Sequence, residues 1–410
     1  MKNKILLILG LVWPEPKSSA AGTRMLQLIK LFQEQGFSVV FASAAQESDF
    51  SYDLKSIGVV TQKIVLNSNT FDDFIKELNP EMVLFDRFVI EEQFGWRVYE
   101  NCPKALRILD TEDLHSLRLT RQNAVKKDIP FEISDLLTSE IAKREIASIL
   151  RCDLSLIISE VEMTILIDIF KIDINLLHYL PLFFYFTAEN KPLDFHQKKD
   201  FVFIGNFLHE PNWDAVKQLK EKIWPEIRKQ LPDAMMNIYG AYPSQKVLQL
   251  HNPKENFIIH GRAENANNVI INAKILLAPI RFGAGLKGKL LEAMQLGTPT
   301  ITTNIGAEGI NANYNWNGFI TDDFSVFASK AVLLYQDGMV WNQSQKNGFD
   351  ILVNRFKSDL FENIFTDKIC FLQSDLENHR KLNFIGSLLL HHTALSTKYM
   401  SRWIEEKNKQ

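Results

Sequence analysis

The stretch Arg281-Phe-Gly-Ala-Gly-Leu-Lys-Gly-Lys-Leu-Leu-Glu-Ala-Met294 lies between an apolar run at 275–280 and the segment Gly297-Thr-Pro299. The apolar run predicts a buried strand, the periodic residues after the glycines predict a helix, and residues 300–303 predict a second strand. Open parallel α/β sheets bind ligands at the carboxyl ends of their strands, where such turns lie. The sequence therefore predicts an α/β fold with a candidate site at this turn.

The composition of this turn suits an anion. Gly283 and Gly285 allow the backbone to approach a ligand closely, and a helix N-terminus offers unpaired N–H groups. Glu292, in the first turns of the helix, can accept hydrogen bonds from ribose hydroxyls. Together these features indicate a nucleotide diphosphate with a group attached, and the alternative is a turn that serves packing alone. Positive charge comes from Arg281, Lys287 and Lys289.

The length and composition fit a globular protein of two or three domains. The chain has 410 residues, 46% of them hydrophobic, and a formal net charge of −3, which argues against a general nucleic-acid binder. Its three cysteines are far apart, which predicts reduced thiols in a cytoplasmic protein and no metal cluster. The apolar N-terminus is interpreted as a first strand, and no apolar run approaches the ~18 residues of a membrane span.

Short apolar runs alternate with helical patterns along most of the chain. This alternation predicts βαβ units and mostly parallel sheets with helices on both faces. The polar stretch at 187–200 interrupts the pattern and predicts a linker between two Rossmann-like domains, 1–190 and 198–384, that face a cleft. The predicted strands are 5–12, 37–42, 82–85, 106–109, 154–158, 201–204, 235–239, 257–259, 275–279 and 300–302.

The second half carries an ordered series of motifs. It comprises Phe203-Ile-Gly-Asn-Phe-Leu-His-Glu-Pro-Asn-Trp-Asp-Ala215, Pro232-Asp-Ala-Met-Met-Asn-Ile-Tyr-Gly240, Ile258-Ile-His-Gly-Arg262, the 281–294 turn and Gly306-Ala-Glu-Gly309. The series resembles the donor domain of GT-B glycosyltransferases of the retaining family-four type, the glycosyl transferases group 1. The resemblance implies two Rossmann-like domains around a cleft. It also implies that a tail helix, about 385–410, crosses back to the N-terminal domain.

The resemblance also implies which residues hold a nucleotide-sugar donor. The family often has an acid at position 284, where this chain has alanine, and an Arg and a Lys after the first donor-domain strand. Here Asn206 and His209 stand there instead, so Arg281 and Lys287 are expected to neutralise the diphosphate. The implied donor-binding residues are Gly22, Asn206, His209, Arg262, Arg281, Gly283, Ala284, Gly285, Leu286, Lys287 and Glu292.

The candidate catalytic residues follow the predicted strand at 106–109. Relatives often place a His-Asp pair near here; in this chain Glu112 stands at the histidine position and Asp113 at the aspartate position. Carboxylates there can orient or deprotonate an acceptor hydroxyl, and the alternative is capping of the next helix. The candidates are Asp110, Glu112, Asp113 and His115, and residues 86–87 form a second loop facing the cleft.

By this resemblance the chain is expected to be a hexosyltransferase. It would transfer sugar from a UDP- or GDP-linked donor to a glycan, lipid-linked or protein hydroxyl, with retention, in polysaccharide or glycoconjugate biosynthesis. No metal and no cofactor is expected, and the sequence has no Asp-x-Asp motif. Two alternatives remain open: a nucleotide-sugar epimerase on the same fold, and a non-catalytic nucleotide-sugar-binding or scaffold protein.

Three further expectations concern the N-terminal half. The basic run at 118–127 predicts a solvated helix face, and the alternative is contact with a phosphorylated acceptor or with an anionic membrane, peripherally at its inner face. Ser159 with Glu162 three residues later predicts a capping box. Glu140 and Glu145 are expected on a solvated helix face.

Overall fold

The chain forms parallel β-sheets, one from the strands of its first half and one from the strands of its second half. In the computed structural model, which describes residues 4–186 and 192–408, there are two such sheets. Within the described residues the first sheet has seven strands: β1 (Lys4–Gly10), β2 (Phe37–Ser43), β3 (Val60–Lys63), β4 (Met82–Asp86), β5 (Leu106–Asp110), β6 (Leu154–Ile157) and β7 (Leu177–Tyr179). Their spatial order is β3-β2-β1-β4-β5-β6-β7.

The second sheet lies entirely in the second half of the chain. Its strands are β8 (Lys199–Ile204), β9 (Met236–Tyr239), β10 (Phe257–Gly261), β11 (Ala273–Ala278), β12 (Thr300–Thr302) and β13 (Gly318–Ile320). Their spatial order is β10-β9-β8-β11-β12-β13, and each neighbouring pair is parallel. Parallel strands need crossover connections, and the intervening helices supply them.

Helices cover both sheets. In the first half they are α1 (Ala20–Glu34), α2 (Thr70–Leu78), α3 (Phe88–Asn101), α4 (His115–Lys127), α5 (Ser134–Leu137), α6 (Glu140–Arg151) and α7 (Glu160–Thr164). In the second half they are α8 (Glu210–Gln218), α9 (Trp224–Gln230), α10 (Gln245–Leu248), α11 (Ala266–Asn272), α12 (Gly288–Gln295), α13 (Asn304–Ala307), α14 (Phe324–Gln336), α15 (Gly338–Arg355), α16 (Glu362–Ser374), α17 (Leu376–Leu382) and α18 (Phe384–Asn408).

All ten predicted strands are confirmed, and the structure adds β3, β7 and β13. These three lie at sheet edges and have only three or four residues. The side chains of β3 are mostly exposed, so the apolar signal that marks an interior strand is absent there. The α/β class with two Rossmann-like sheets is therefore as predicted.

The C-terminal helices return to the first half of the chain, as expected. Phe365, Ile369 and Leu372 of α16 belong to the core beneath β1 and α1. Helix α18 packs against α3 and α6, where Arg97 bonds to Ser401 and Glu405. No helix in 4–186 or 192–408 is long and apolar enough to cross a membrane.

The predicted linker at 187–200 lies partly outside the described residues, which resume at 192. From Lys199 the chain enters β8, the central strand of the second sheet. The domain boundaries at 190 and 198 remain a prediction.

Candidate active site

A cavity of about 500 Å³ lies between the two sheets, at the carboxyl ends of their strands. Loops after β4, β5, β8, β9 and β11 line it, together with the segment before α1. The structure thus brings the two predicted groups of residues to one place. The predicted residues in the lining are Glu112, Asp113, His115, Asn206, His209, Arg262, Gly283, Ala284, Gly285, Leu286, Lys287 and Glu292.

Two helix N-termini meet in this cavity. Helix α1 begins at Ala20 and α12 at Gly288, and a Cβ added to Gly288 would lie 2.7 Å from the Ala20 Cβ. The first N–H groups of a helix have no intrahelical partner, and the helix dipole makes this end positive. Ser19 Oγ accepts the Gly22 N–H, and the other N–H groups of that first turn can donate to a ligand. The cavity therefore receives positive potential from both halves of the chain.

Two lysines add charge at the start of α12. Lys287 Nζ donates to Gly285 O at 2.9 Å, and Lys289 Nζ donates to Asn212 Oδ1 at 2.6 Å. Among the residues that the structure describes, no carboxylate oxygen lies within 4 Å of either ammonium. Burial lowers the pKa of Lys287 to about 8 and that of Lys289 to about 7. An anion in the cavity would supply the missing partner and favour the protonated lysines.

Glu292 lies one turn further along α12. It lines this cavity and also a second one of about 600 Å³, which includes Tyr52 and Tyr185. Burial raises the pKa of Glu292, and the Lys289 charge opposes this. A group between an anion site and an adjoining cavity is well placed for the sugar of a nucleotide.

Three residues line the second-sheet side of the cavity in different ways: Asn206, His209 and Arg262. Asn206 Oδ1 accepts the Leu208 N–H at 2.9 Å. Burial, with the Arg118 charge, lowers the pKa of His209 to about 4, so the imidazole is neutral at pH 7. The Arg262 guanidinium lies 4.0 Å from the Phe50 ring centre. Asn206 and His209 thus bring hydrogen-bonding groups and no charge.

Three predicted residues do not line the cavity. Arg281 instead forms a two-point ion pair with Asp214, with Nε at 2.8 Å from Oδ2. Gly22 serves close packing, since a Cβ there would lie 2.4 Å from the Glu15 carbonyl carbon. Asp110 is fully buried and accepts hydrogen bonds from Arg24 at 2.7–3.0 Å. Arg281 is therefore not placed to neutralise a ligand here, contrary to expectation.

Asp113 and His115 form a pair on the first-sheet side of the cavity. Asp113 Oδ1 lies 3.3 Å from His115 Nε2, and Arg118 Nε donates to Asp113 Oδ2 at 2.8 Å. Burial raises the pKa of Asp113, but the charges of Arg118 and His115 outweigh it and lower the pKa to about 2. Burial lowers the pKa of His115 to about 4. At pH 7 the pair is thus an ionised carboxylate beside a neutral imidazole.

Glu112 and Arg87 have unusual backbones. Their φ angles are +62° and +73°, a left-handed region that non-glycine residues seldom adopt. Burial, then the Asp110 charge, raises the pKa of Glu112 to about 8. Backbone strain concentrates at functional sites, and both residues line the cavity. Glu112 is protonated at pH 7 and can donate a hydrogen bond.

Two glutamates have roles that differ from their predicted ones. The capping box is wrong: Glu162 Oε1 accepts the N–H groups of Leu114 at 3.0 Å and Gly285 at 2.7 Å. The Gly285 amide, predicted to face a phosphate, is thereby occupied. Glu145 is buried, not solvated, and accepts from the His115 and Ser116 N–H groups at the start of α4. The hydrogen bonds of the two glutamates join residues at least 29 positions apart, so local sequence patterns do not predict them.

The basic run at 118–127 contributes to the contact between the two halves. Arg121 donates to Gly283 O at 2.9 Å and makes a two-point pair with Glu308 at 2.7 Å. Arg118 is bound to Asp113, so neither arginine belongs to a solvated face; of the four basic residues of the run, only Lys126 and Lys127 are exposed. The expected solvated face is thus wrong for the arginines.

Sequence reasoning did not assign Arg24 or Arg118 to the cavity, although both line it. Lys289, which was expected to add charge at the glycine-rich turn, and Arg87, in the loop expected to face the cleft, also line it. Arg24 and Arg118 face the cleft only through partners at the end of β5, which the sequence does not reveal.

Comparisons with known proteins bear on both halves. Residues 198–337, which contain the second sheet and α12, match the family described as glycosyl transferases group 1. Sucrose-phosphate synthase from Thermosynechococcus elongatus superposes with a TM-score of 0.65 at 13% identity, covering 91% of this chain and 100% of that one. HepE from Anabaena, crystallised with UDP and glucose, gives 0.64 at 11% identity and covers 89% and 99%. The chain has the GT-B fold.

Two further comparisons concern a solved structure and a sequence relative. WaaG, described as a glycosyltransferase involved in lipopolysaccharide biosynthesis, has a TM-score of 0.58 at 12% identity and covers 86% of this chain and 95% of its own. An uncharacterized 44.6 kDa protein in the cps region of Klebsiella pneumoniae is 23% identical over 174 residues. That match covers 40% of this chain and 45% of the relative, so it spans less than half of the relative's length.

Proposed function

We propose that this chain is a retaining glycosyltransferase that moves a hexose from a nucleotide-diphosphate sugar to an acceptor hydroxyl without a metal ion. One observation carries the proposal: two helix N-termini, at Ala20 and Gly288, converge with Lys287 and Lys289 in one cavity beside Glu292. A diphosphate is the anion that such a site fits, and Glu292 is placed to accept from a ribose. The family match of 198–337 and the UDP complex of HepE support the same reading.

The reaction develops charge on the departing diphosphate. Fixed N–H groups, helix dipoles and ammonium groups lower the barrier when they meet that charge, because they need no reorganisation as it forms. In this cavity α1 and α12 direct their positive ends at the same region, and Lys287 adds a cation. These groups can stabilise a leaving diphosphate in place of a divalent cation, which supports the proposal of metal-independent transfer.

The acceptor side offers three groups with distinct protonation states. Asp113 is ionised, His115 is neutral and Glu112 is protonated at pH 7, as their shifted pKa values indicate. An ionised carboxylate that is held by Arg118 can orient the acceptor hydroxyl, and a neutral imidazole can accept its proton. Glu112 can donate a hydrogen bond to the acceptor or the transferred sugar. We assign the acceptor hydroxyl to this side of the cavity.

We base the proposed acceptor class on the descriptions of two relatives. WaaG is described with lipopolysaccharide biosynthesis, and the Klebsiella relative is encoded in the cps region. These descriptions support a cell-surface glycan or lipid-linked acceptor. We further propose that the reaction takes place in the cytoplasm. The UDP complexes of HepE favour a UDP-linked sugar over a GDP-linked one.

Product analysis tests the proposal. The full chain is incubated with labelled UDP- and GDP-hexoses and an extract of surface glycans, and the products are separated. Label on the glycan is expected; label on an epimerised nucleotide sugar would instead favour an epimerase. If the chain shows no turnover and binds no nucleotide, the result would indicate a non-catalytic scaffold.

Three refinements of this experiment test the finer statements. NMR of the product should show the donor's anomeric configuration, and the opposite configuration would contradict retention. Transfer should persist in a chelator, and its loss would contradict metal independence. Asp113→Asn should lower transfer by about a hundredfold or more while nucleotide binding is kept, whereas the exposed control Glu140→Gln should change neither.

A further inference from the structure

Helix α18 packs on the first half of the chain with one of its faces. On this inner face Leu390 is buried, and a Cβ added to Gly386 would lie 2.1 Å from Leu150 O at the end of α6. Further along the same face, Ser401 Oγ accepts a hydrogen bond from Arg97 Nη2 of α3 at 2.9 Å. These contacts fix which side of α18 faces outward.

The side of α18 that faces outward is also apolar. Its exposed apolar residues are Phe384, Ile385, Leu388, Tyr399 and Trp403, which we call the outer stripe. At 3.6 residues per turn these positions fall within about 100° of one another, opposite the inner face. The three aromatic residues are 60–70% exposed, and the 25 residues of the helix span about 37 Å. Exposed apolar patches of this extent mark contact sites.

Positive charge surrounds the outer stripe. Residues 376–410 contain six lysines and arginines and three glutamates, a formal charge of +3 in a chain whose total is −3. Arg402 and Lys407 are exposed, and among the described residues no carboxylate oxygen lies within 4 Å of either cation. Lys407 Nζ lies 5.2 Å from the Trp403 ring centre, at the edge of the stripe.

This charge distinguishes between possible partners. Helix α18 contains two acids: Glu405 is bonded to Arg97 on the inner face, and Glu406 lies in the last turn. The segment stays positive with both of them counted. A second copy of this chain would bring an equal positive charge to the stripe, whereas an anionic surface would complement it.

The side chains of the stripe match the interface of an anionic lipid bilayer. Tryptophan and tyrosine rings favour the level of the lipid headgroups, because they are apolar with one hydrogen-bonding end. Arginine and lysine bury their stems beside them and place their charge near lipid phosphates. A helix with such a face lies along the membrane surface and buries its apolar side chains at the headgroup boundary.

The basic run at 118–127 offers less for such a contact. Its two arginines are bound to Asp113 and Glu308, which leaves Lys126 and Lys127 exposed. The run thus retains two cations for a membrane, whereas α18 has cations beside exposed aromatic side chains.

We propose that the outer stripe of α18 is a docking surface for an anionic lipid bilayer. Phe384, Tyr399 and Trp403 enter the headgroup region, and Arg402 and Lys407 meet lipid phosphates. The helix lies along the membrane surface. The inference goes beyond the proposed function, since no described residue of α18 lines either cavity.

Sedimentation with lipid vesicles tests the inference in the full chain. The native chain should bind vesicles of equal parts phosphatidylcholine and phosphatidylglycerol. It should bind phosphatidylcholine alone more weakly, and binding should fall as salt rises, because salt screens the charges. Phe384→Ser, Tyr399→Ser and Trp403→Ser in one variant should lower the binding at least about tenfold. Arg402→Gln with Lys407→Gln should lower it about ten- to thirtyfold.

Trp403 gives a second measurement. It is the most exposed of the chain's seven tryptophans, and the other six are buried or half-buried. Its emission should move to shorter wavelength with the mixed vesicles and be quenched by brominated lipid chains. Trp403→Phe should keep most of the binding and lose both signals.

Two controls separate this surface from others. Met339→Ser removes an 85% exposed apolar side chain from α15 and should bind like the native chain. Lys126→Gln with Lys127→Gln removes two exposed cations from α4 and should also bind like the native chain. All the replaced side chains are exposed, so the variants should keep the native melting temperature.

Three outcomes would overturn the inference. In the first, the native chain does not sediment with the mixed vesicles. In the second, the stripe variants bind as the native chain does. In the third, light scattering shows a dimer that the serine variant cannot form, so that a second copy occupies the stripe. None of these results depends on nucleotide binding, so they leave the proposed function to its own test.

Discussion

The cationic side chains on the two sides of the cleft have different partners. On the first-sheet side, Arg24 is bound to the buried Asp110 and Arg118 to Asp113. On the second-sheet side, Lys287 and Lys289 contact only neutral oxygens. One side is therefore neutralised from within and suits an uncharged hydroxyl, while the other keeps positive potential and suits an anion. This asymmetry fits the proposed reaction, in which a charged donor and a neutral acceptor bind on opposite sides of the cleft.

The largest expected effect comes from breaking the pairing on the first side. Arg24→Met leaves the Asp110 carboxylate buried without its cation, which should lower the free energy of unfolding by about 3–5 kcal/mol. Urea unfolding followed by tryptophan fluorescence measures it. The control is Lys30→Met, whose exposed pair with Glu34 should contribute less than about 0.5 kcal/mol. A loss below 1 kcal/mol for Arg24→Met would contradict a tightly paired first side.

Glu162 joins the two sides of the cleft through the Gly285 N–H, and its ionisation should make the free energy of unfolding depend on pH. Burial and the Asp113 charge raise the pKa of Glu162 from 4.5 to about 8. Between these values the folded chain holds a proton that the unfolded chain has lost, so the free energy of unfolding falls as pH rises. Glu162→Gln should flatten that slope by up to about 1.4 kcal/mol per pH unit.

Urea unfolding of Glu162→Gln between pH 5 and pH 8 measures this slope. The exposed Glu140→Gln is the control and should keep the native slope. An identical slope in Glu162→Gln and the native chain would contradict the raised pKa of Glu162 in the folded state.

The positive second side is tested by removing Lys287. Lys287→Ala should weaken nucleoside diphosphate binding by about tenfold, which corresponds to ~1.4 kcal/mol. Arg281→Ala is the matched control from the same turn, because its guanidinium faces Asp214 outside the cavity. It should change the affinity by less than about twofold. The reverse order of effects would contradict the placement of positive charge described above.

The smallest expected effect concerns the sugar of the nucleotide. If Glu292 accepts from ribose hydroxyls, the native chain should bind a ribonucleoside diphosphate several-fold, about 1 kcal/mol, more tightly than its 2′,3′-dideoxy form. Glu292→Gln should reduce that preference, since a neutral acceptor makes a weaker hydrogen bond. Competition binding with the two nucleotides measures it. Equal discrimination by the variant and the native chain would remove Glu292 from the ribose site.

The sequence predicts what is local and repeated, and it misses what depends on distant partners. The ten predicted strands, nine interior ones and the edge strand β10, have apolar runs, and the 281–294 turn has its glycines, lysines and Glu292 in one segment. Edge strand β3 is short and exposed, so it lacks that signal. The pairing of Arg281 with Asp214 spans 67 positions, and that of Glu162 with Gly285 spans 123. Neither the withdrawal of Arg281 nor the occupied Gly285 amide follows from spacing along the chain.

The central claim is that the region where α1 and α12 begin holds a diphosphate. A crystal structure of the full chain with UDP or GDP tests it most directly. The account predicts diphosphate oxygens within hydrogen-bonding distance of Lys287 or Lys289 Nζ and of amides at the start of α12, with the ribose beside Glu292. A nucleotide bound elsewhere, with this cavity filled by side chains or water, would contradict it.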